Sequence, residues 1–243
     1  MTAFALKLIA LTAMLMDHAA LVFPEIFPAW FRVIGRLAFP IFAYLVAEGF
    51  RKTSNRYKFL LRLGIFAVIS QVPFALALNP VLPLSVDFFY KTNIFYTMFL
   101  GGVAIVMYEK IASRKLADTP FGQTTRQPLM FVATVIPMLI GVSIATDFGG
   151  LGVLIICMMY LIQHKKLQLT VLAVLISLLY ILPLFTRGDF WLPFMFPWLA
   201  GGLASVLIIG TYNGKRGPGL KYLFYVIYPL HLALLGTAAV FLS

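Results

Sequence analysis

Two apolar stretches decide the fold: Lys7–Phe23, KLIALTAMLMDHAALVF, and Arg36–Phe50, RLAFPIFAYLVAEGF. Each is close to the length of a transmembrane helix, which needs about 17 to 25 apolar residues. Their otherwise apolar sequence contains Asp17, His18, Arg36 and Glu48. Ionisable side chains are costly at membrane depth and usually serve a function there. The two stretches therefore predict a membrane fold and also the region in which to look for a site.

The composition of the whole chain agrees with a membrane fold. Of its 243 residues, 62% are hydrophobic and 11% are charged, whereas soluble domains average about 45 to 50% apolar and about 25% charged residues. No stretch is polar and long enough to form a separate soluble domain, so we interpret residues 1–243 as a single integral membrane domain. The single cysteine, Cys157, lies in an apolar run and is expected to be a packing residue.

The apolar runs predict an all-α bundle of about nine transmembrane helices. They are separated by charged or Pro/Gly-rich breaks, which are typical of the connections between spans. The predicted helices are 6–23, 34–50, 58–78, 92–111, 129–146, 150–163, 168–185, 194–211 and 222–242. The sixth is short for a span, so it is either little tilted or partly re-entrant.

The positions of the basic residues predict how the bundle is oriented. Most of the 19 Lys and Arg residues lie near the N-terminus or follow the second, fourth, sixth and eighth predicted helices. The exceptions are Arg32, Arg36, Lys91 and Arg187. Loops rich in Lys and Arg stay in the cytoplasm, which predicts a cytoplasmic N-terminus and an extracytoplasmic C-terminus. The basic excess then records orientation, and no nucleic-acid partner is expected.

Counting residues along each helix gives the depth of the polar side chains. At about 1.5 Å per residue, Asp17 and His18 lie about 15 Å from the Lys7 end, and His231 lies about 15 Å from Lys221. These positions are near the middle of a core of about 30 Å. The same count places polar side chains of three further helices in the outer half: Arg36, Gln71 and Asn93.

Asp17 and His18 are adjacent, but they do not form an obvious acid–base couple. Neighbouring helical residues point in different directions, so the partners should come from other helices. A carboxylate at this depth needs a cationic or hydrogen-bonding partner, and Arg36 follows after a short turn. We therefore expect an Asp17–Arg36 ion pair, with either His18 or His231 as a proton acceptor.

The cytoplasmic end of the second predicted helix carries a dense charged cluster. Its members are Glu48, Arg51, Lys52, Arg56, Lys58 and Arg62. The cluster either anchors the helix at the membrane surface or receives an anionic donor such as a nucleotide phosphate. The sequence contains no glycine-rich phosphate loop, no serine-nucleophile elbow and no Cys/His set with metal-ligand spacing, so we predict no metal site.

Six segments together resemble the TraX family, nearly from end to end. They are Asp17-His18, IGRLAFPIF (34–42) continuing to AEGF (47–50), ISQVPF (69–74), NIFYT (93–97), DFGGLGV (147–153) and YPLH (228–231). The family's motif positions are occupied by Asp17, His18, Arg36, Glu48, Asn93, Asp147 and His231. Gln71 stands where many relatives have an acidic residue. The resemblance implies a location in the bacterial inner membrane and a distant relationship to multi-pass membrane acyltransferases.

The resemblance also implies an activity. The family is associated with N-terminal acetylation of conjugative pilin, so we expect an acyltransferase that moves acetyl from cytoplasmic acetyl-CoA to a pilin amine, or to a surface glycan or lipid. In this hypothesis His18 or His231 is the base, and Arg36 or Asn93 stabilises the developing charge. Two alternatives stay open: a small proton-coupled transporter and a non-catalytic membrane component of a pilus or conjugation assembly. The acceptor and the oligomeric state are also left open.

Overall fold

The computed structural model describes residues 1–78, 91–112, 120–187, 192–219 and 221–242. Within these ranges the ordered elements are α-helices. In chain order they are α1 (Ala3–Val22), α2 (Trp30–Gly35), α3 (Ala38–Lys52), α4 (Arg56–Leu78), α5 (Ile94–Ala112), α6 (Pro120–Ser143), α7 (Gly149–Leu161), α8 (Lys165–Ile181), α9 (Pro183–Arg187), α10 (Leu192–Gly210) and α11 (Lys221–Leu242). The predicted all-α class is confirmed.

The described part of the chain forms eight spans that are long and apolar enough to cross a membrane. In two of them, short helices join longer ones: α2 with α3, and α8 with α9. The short apolar helix α7 is the ninth member of the bundle. This arrangement confirms a polytopic membrane protein with about nine helices.

Several predicted boundaries were wrong. The predicted helix 34–50 is two helices, and Arg36 and Leu37 lie in the turn between them. Pro40 explains the break, because it has no N–H to donate to the carbonyl of Arg36 in a continuous helix. The predicted helix 129–146 begins earlier, at Pro120, and the predicted helix 168–185 is interrupted at Leu182, just before Pro183.

The short helix α7 ends inside the protein. Its 13 residues cover about 20 Å, less than the bilayer core of about 30 Å. The Arg51 guanidinium donates to the carbonyls of Tyr160 and Ile162 at 2.8 and 3.1 Å, and also contacts the carbonyl of Met159. The Gln168 amide donates to the carbonyls of Met159 and Ile162 at 2.7 and 3.0 Å. These contacts satisfy the carbonyls that a helix end leaves free.

Hydrogen bonds between loops show which of them lie at the same end of the bundle. Ala3 N–H donates to the carbonyl of Lys215 at 2.8 Å, while the Lys52 ammonium donates to the Gly214 carbonyl at 2.5 Å. At the opposite end, the Thr92 N–H donates to the carbonyl of Ala145 at 3.2 Å. The described parts of these loops therefore lie at the ends that the prediction gives them, whereas the segments 79–90 and 113–119 are outside the described residues. The excess of Lys and Arg assigns the first end to the cytoplasm.

Candidate functional site

A cavity of about 600 Å³ has lining residues from both ends of the bundle. At the cytoplasmic end, which we call the mouth, the charged lining residues are Lys7, Glu48, Lys52, Arg62 and Arg216. At the opposite end, which we call the outer cluster, they are Asp17, Arg32, Arg36, Lys91 and Asp147. His18 lies on the wall between these groups. The cavity thus connects the two regions in which the sequence predicts chemistry.

His18 on α1 and His231 on α11 form a direct contact. His18 Nδ1 lies 2.7 Å from His231 Nε2, and the two rings are nearly parallel, at 16°, with centroids 4.9 Å apart. Tyr228 packs edge-on against both rings, with centroids 6.1 and 5.6 Å away. His231 is 8% exposed and is not part of the cavity wall, whereas His18 is. The two histidines predicted to reach the midplane therefore meet, but only His18 is accessible from the cavity.

Asp17 holds two arginines at the outer end. Its Oδ1 atom lies 3.1 Å from Arg32 Nη1 and 3.5 Å from Arg36 Nη2. The predicted Asp17–Arg36 pair is present, but Arg32, which lies before the predicted helix 34–50, was not predicted as a second partner of Asp17. The spacing in the sequence could have predicted it, because Arg32 precedes Arg36 by four residues and such residues lie on one face of a helix.

A glycine allows α1 and α2 to approach closely enough for these ion pairs. A Cβ atom added to Gly35 would lie 2.3 Å from Asp17 Cβ and 2.4 Å from Asp17 Oδ1. Real Cβ atoms essentially never approach other atoms this closely, so a larger residue would push the helices apart. Gly35 thus positions Arg36, the next residue, beside Asp17.

The Arg36 guanidinium has capacity for a further partner. Its face packs on the Trp198 ring of α10, with 4.1 Å between the guanidinium carbon and the ring centroid. The side chain is 11% exposed, and its Nε and Nη2 atoms make no hydrogen bond within the described part of the chain. Buried donors without acceptors are unfavourable. Arg36 lines the cavity and therefore retains hydrogen-bonding capacity beyond its ion pair with Asp17.

Asn93 has a structural position. Its amide nitrogen donates to the Ala67 carbonyl at 2.8 Å and to Gln71 Oε1 at 2.9 Å, while its Oδ1 accepts from the Phe95 N–H at 3.0 Å. The side chain is fully buried and lies outside the cavity wall. Asn93 thus fixes the start of α5 against α4, and its amide is not available to a substrate.

Asp147 lies in the loop before α7, at the outer end of the cavity. Surrounding protein atoms raise the pKa of its carboxyl, and the positive charge of Lys91 opposes this rise. Its side chain is solvent-accessible, because it faces the cavity. Asp147 therefore contributes a carboxylate to the outer end of the cavity wall.

Of the six residues predicted to bind an anionic donor, three line the cavity and three do not. Glu48, Lys52 and Arg62 line the mouth, whereas Arg51, Arg56 and Lys58 do not. The Glu48 carboxylate pairs with Lys52 at 2.8 Å and with Arg51 at 3.3 Å, and it accepts from the Tyr212 hydroxyl at 3.2 Å. This cluster thus neutralises much of its own charge.

The three predicted residues outside the mouth have other positions. Arg51 caps α7, as described above, and Arg56 forms an ion pair with Glu109 at 2.9 Å. Lys58 is exposed on α4, where its backbone N–H bonds the Asn55 side chain at 2.8 Å. Arg51 and Arg56 are therefore structural contacts rather than ligands for a donor.

Two further cations at the mouth were not predicted as donor-binding residues. Lys7 comes from α1, and Arg216 is brought there by a backbone hydrogen bond of 3.1 Å from the Phe4 N–H to its carbonyl. Among the described residues, Lys7, Arg62 and Arg216 form no ion pair within 4.0 Å. They come from three distant segments, so local charge density in the sequence could not reveal the group.

Comparison with known proteins assigns the chain to a family. The family model described as "TraX protein" matches residues 3–239. The chain is 30% identical over 259 residues to "Probable fimbrial assembly protein FimC, serogroup H1" of Dichelobacter nodosus, covering 100% of this chain and 97% of that protein. It is 26% identical over 239 residues to "Protein TraX" of Escherichia coli, covering 96% and 86%. No solved structure matches. This chain belongs to the TraX family.

Proposed function

We propose that this protein is a membrane acyltransferase of the bacterial inner membrane, which moves acetyl from cytoplasmic acetyl-CoA to a terminal amine presented from the outer side. The observation that supports the proposal is the cavity, whose wall contains His18 as well as charged residues of the mouth and of the outer cluster. In this proposal the donor and the acceptor approach His18 from opposite ends. The name of the D. nodosus relative refers to fimbrial assembly, which favours a pilin-type subunit as the acceptor.

The mouth fits the phosphate-rich end of acetyl-CoA. Lys7, Arg62 and Arg216 offer three positive charges that no described carboxylate neutralises, and such groups bind phosphates through charge-assisted hydrogen bonds. On α1, His18 lies about 16 Å deeper than Lys7. The extended arm of the donor would run along this part of the cavity and bring its thioester towards His18.

The chemistry requires a base and a donor for the oxyanion. The amine nitrogen attacks the thioester carbonyl, so that a C–N bond forms and, after the tetrahedral intermediate, the C–S bond breaks. His18 removes the proton from the attacking nitrogen and returns a proton to the leaving thiolate. Arg36, which lines the cavity and has hydrogen-bonding capacity beyond its ion pair with Asp17, would stabilise the oxyanion. Asp17 holds Arg36 in place, while Asp147 would attract the positively charged form of the amine.

The test is transfer of labelled acetyl by the purified protein in nanodiscs. Acetyl-CoA would be supplied with a synthetic peptide that carries a free N-terminal amine, and the product would be detected as a peptide heavier by one acetyl group. The same peptide with a blocked N-terminus is the control. Full transfer by a His18→Ala variant would remove the assigned base, and absence of transfer to any amine would count against the activity.

A cavity that reaches both ends of the bundle also fits a transporter. Intramembrane Asp and His residues build proton relays in such proteins. Substrate flux into liposomes without an acetylated product would favour this second candidate. A non-catalytic role in pilus assembly predicts a different result: assembly would survive replacement of His18, Asp17 and Arg36 together.

A further inference from the structure

The contact between the two histidines determines which ring atoms carry protons. His231 Nδ1 lies 2.8 Å from the carbonyl oxygen of Ile227. A carbonyl oxygen only accepts hydrogen bonds, so His231 Nδ1 must carry a proton. In the neutral ring, His231 Nε2 is then an acceptor, and at 2.7 Å it must receive a proton from His18 Nδ1. His18 Nε2 is left with its lone pair.

The contact itself limits how many protons the pair can carry. The charged side chains near it are Arg32 and Arg36, and Asp17, which is ion-paired with both. Tyr228 contributes an aromatic ring at the edge of the pair. If both rings were cationic, two N–H groups would face each other across 2.7 Å. The contact therefore accommodates at most one additional proton.

We propose that His231 is the positioning residue for His18, which alone acts as the base. His231 is anchored to the Ile227 carbonyl and holds His18 in the tautomer that has its proton on Nδ1. This leaves Nε2 as the free lone pair of an accessible ring. The inference rests on the proposed acyltransferase function for its catalytic meaning, but the tautomer can be measured without any activity.

In the proposed reaction, one proton moves from the amine to the histidine pair and then to the thiolate. When the amine attacks, its proton passes to His18 Nε2, and the resulting charge is shared with His231 through the Nδ1–H bond. The Ile227 carbonyl stabilises the shared charge from the far side. When the C–S bond breaks, the same proton leaves Nε2 for the thiolate and the neutral pair is restored. His231 exchanges no proton with the substrate in this sequence.

The test is nitrogen NMR of the histidine rings in the full-length protein, labelled with ¹⁵N-histidine in nanodiscs. The chain has three histidines, so single substitutions assign all the signals. In the wild type at neutral pH, His18 should show a protonated Nδ1 and an unprotonated Nε2. In His231→Phe, the His18 signals should move towards the Nε2–H form or towards a mixture. His164→Ala is the matched control, because His164 is exposed at the start of α8, and it should leave the His18 signals unchanged.

Kinetics and a conservative variant separate positioning from structural support. In His231→Phe, kcat for acetyl transfer should fall roughly 10-fold to 100-fold, less than the roughly 10²-fold to 10⁴-fold contribution of general-base catalysis, because the base His18 is still present. His231→Gln keeps an acceptor for His18 Nδ1 and should recover the tautomer together with part of kcat. A protonated Nε2 on His18 in the wild type, or a tautomer that does not change in His231→Phe, would overturn the proposal. If the wild type shows the expected tautomers but transfers no acetyl group, the acyltransferase function is refuted and the positioning role of His231 is not.

Discussion

The outer cluster and the mouth are both rich in charge, but they use it in opposite ways. In the outer cluster, Asp17 pairs with two arginines at 3.1 and 3.5 Å, because an isolated charge within a membrane is costly. At the mouth, Lys7, Arg62 and Arg216 form no ion pair with described residues, which water allows at low cost. The first region is therefore built as a fixed frame, and the second is open to an anionic ligand. Four substitutions test this contrast.

The largest expected effect is on catalysis at His18, beside the outer cluster. His18→Ala should lower kcat for acetyl transfer by roughly 10²-fold to 10⁴-fold, because it removes the base. The measurement is the rate of peptide acetylation under saturating acetyl-CoA. His164→Ala should match the wild type, and an equal loss in both variants would show that the effect does not come from the cavity.

The second effect is on the stability of the outer cluster. Asp17→Asn should lower the free energy of unfolding by about 3 kcal/mol, because it leaves two cations in a partly buried site without a counter-charge. Denaturant unfolding in detergent measures the change. The double variant Asp17→Asn, Arg36→Gln should be more stable than the single variant. No recovery would mean that charge pairing is not what holds this region together.

The third substitution concerns a residue of the cytoplasmic cluster that contacts α7. Arg51→Gln should reduce the free energy of unfolding by about 1 to 3 kcal/mol, since carbonyls at the end of α7 lose their donors. The KM for acetyl-CoA should stay as in the wild type. A large rise in KM with unchanged stability would return Arg51 to the donor site that the sequence predicts.

The smallest effect is expected at the mouth itself. Arg62→Gln should raise the KM for acetyl-CoA roughly 3-fold to 10-fold with little change in kcat, because one charge-assisted contact to phosphate is lost. The effect should diminish at high salt, which screens exposed charges. Lys58→Gln, about one turn before Arg62 on the exposed side of α4 and outside the cavity lining, is the control. Equal KM changes in both variants would indicate a general surface-charge effect.

The contrast also explains which features the sequence could predict. The midplane residues were predictable for two reasons: a buried charge requires a partner, and helical rise gives the depth of a residue. The pairing of Asp17 with Arg36 and the common depth of His18 and His231 follow from this, whereas the direct contact between the two histidines was not predicted. Near water neither constraint applies. Arg51 and Arg56 therefore looked like donor ligands, although tertiary contacts with α7 and Glu109 engage them.

The boundaries of the helices show a similar limit. Hydropathy located the spans, but it did not indicate that Arg36 lies in a turn rather than in a helix, which depends on Pro40 and on the close packing of α1 against α2. Hydropathy also could not show that Asn93 is enclosed by Ala67, Gln71 and Phe95. Such a residue resembles a catalytic amide until its hydrogen-bond partners are known.

The close approach at Gly35 has a genetic consequence. Every missense change at this codon adds at least a Cβ atom, which would overlap with Asp17. A saturation screen for loss of function should therefore recover Gly35 as strongly as the chemical residues around it, although glycine has no reactive group. Suppressors should map to α1 or α2, at positions where a smaller side chain lets the two helices shift.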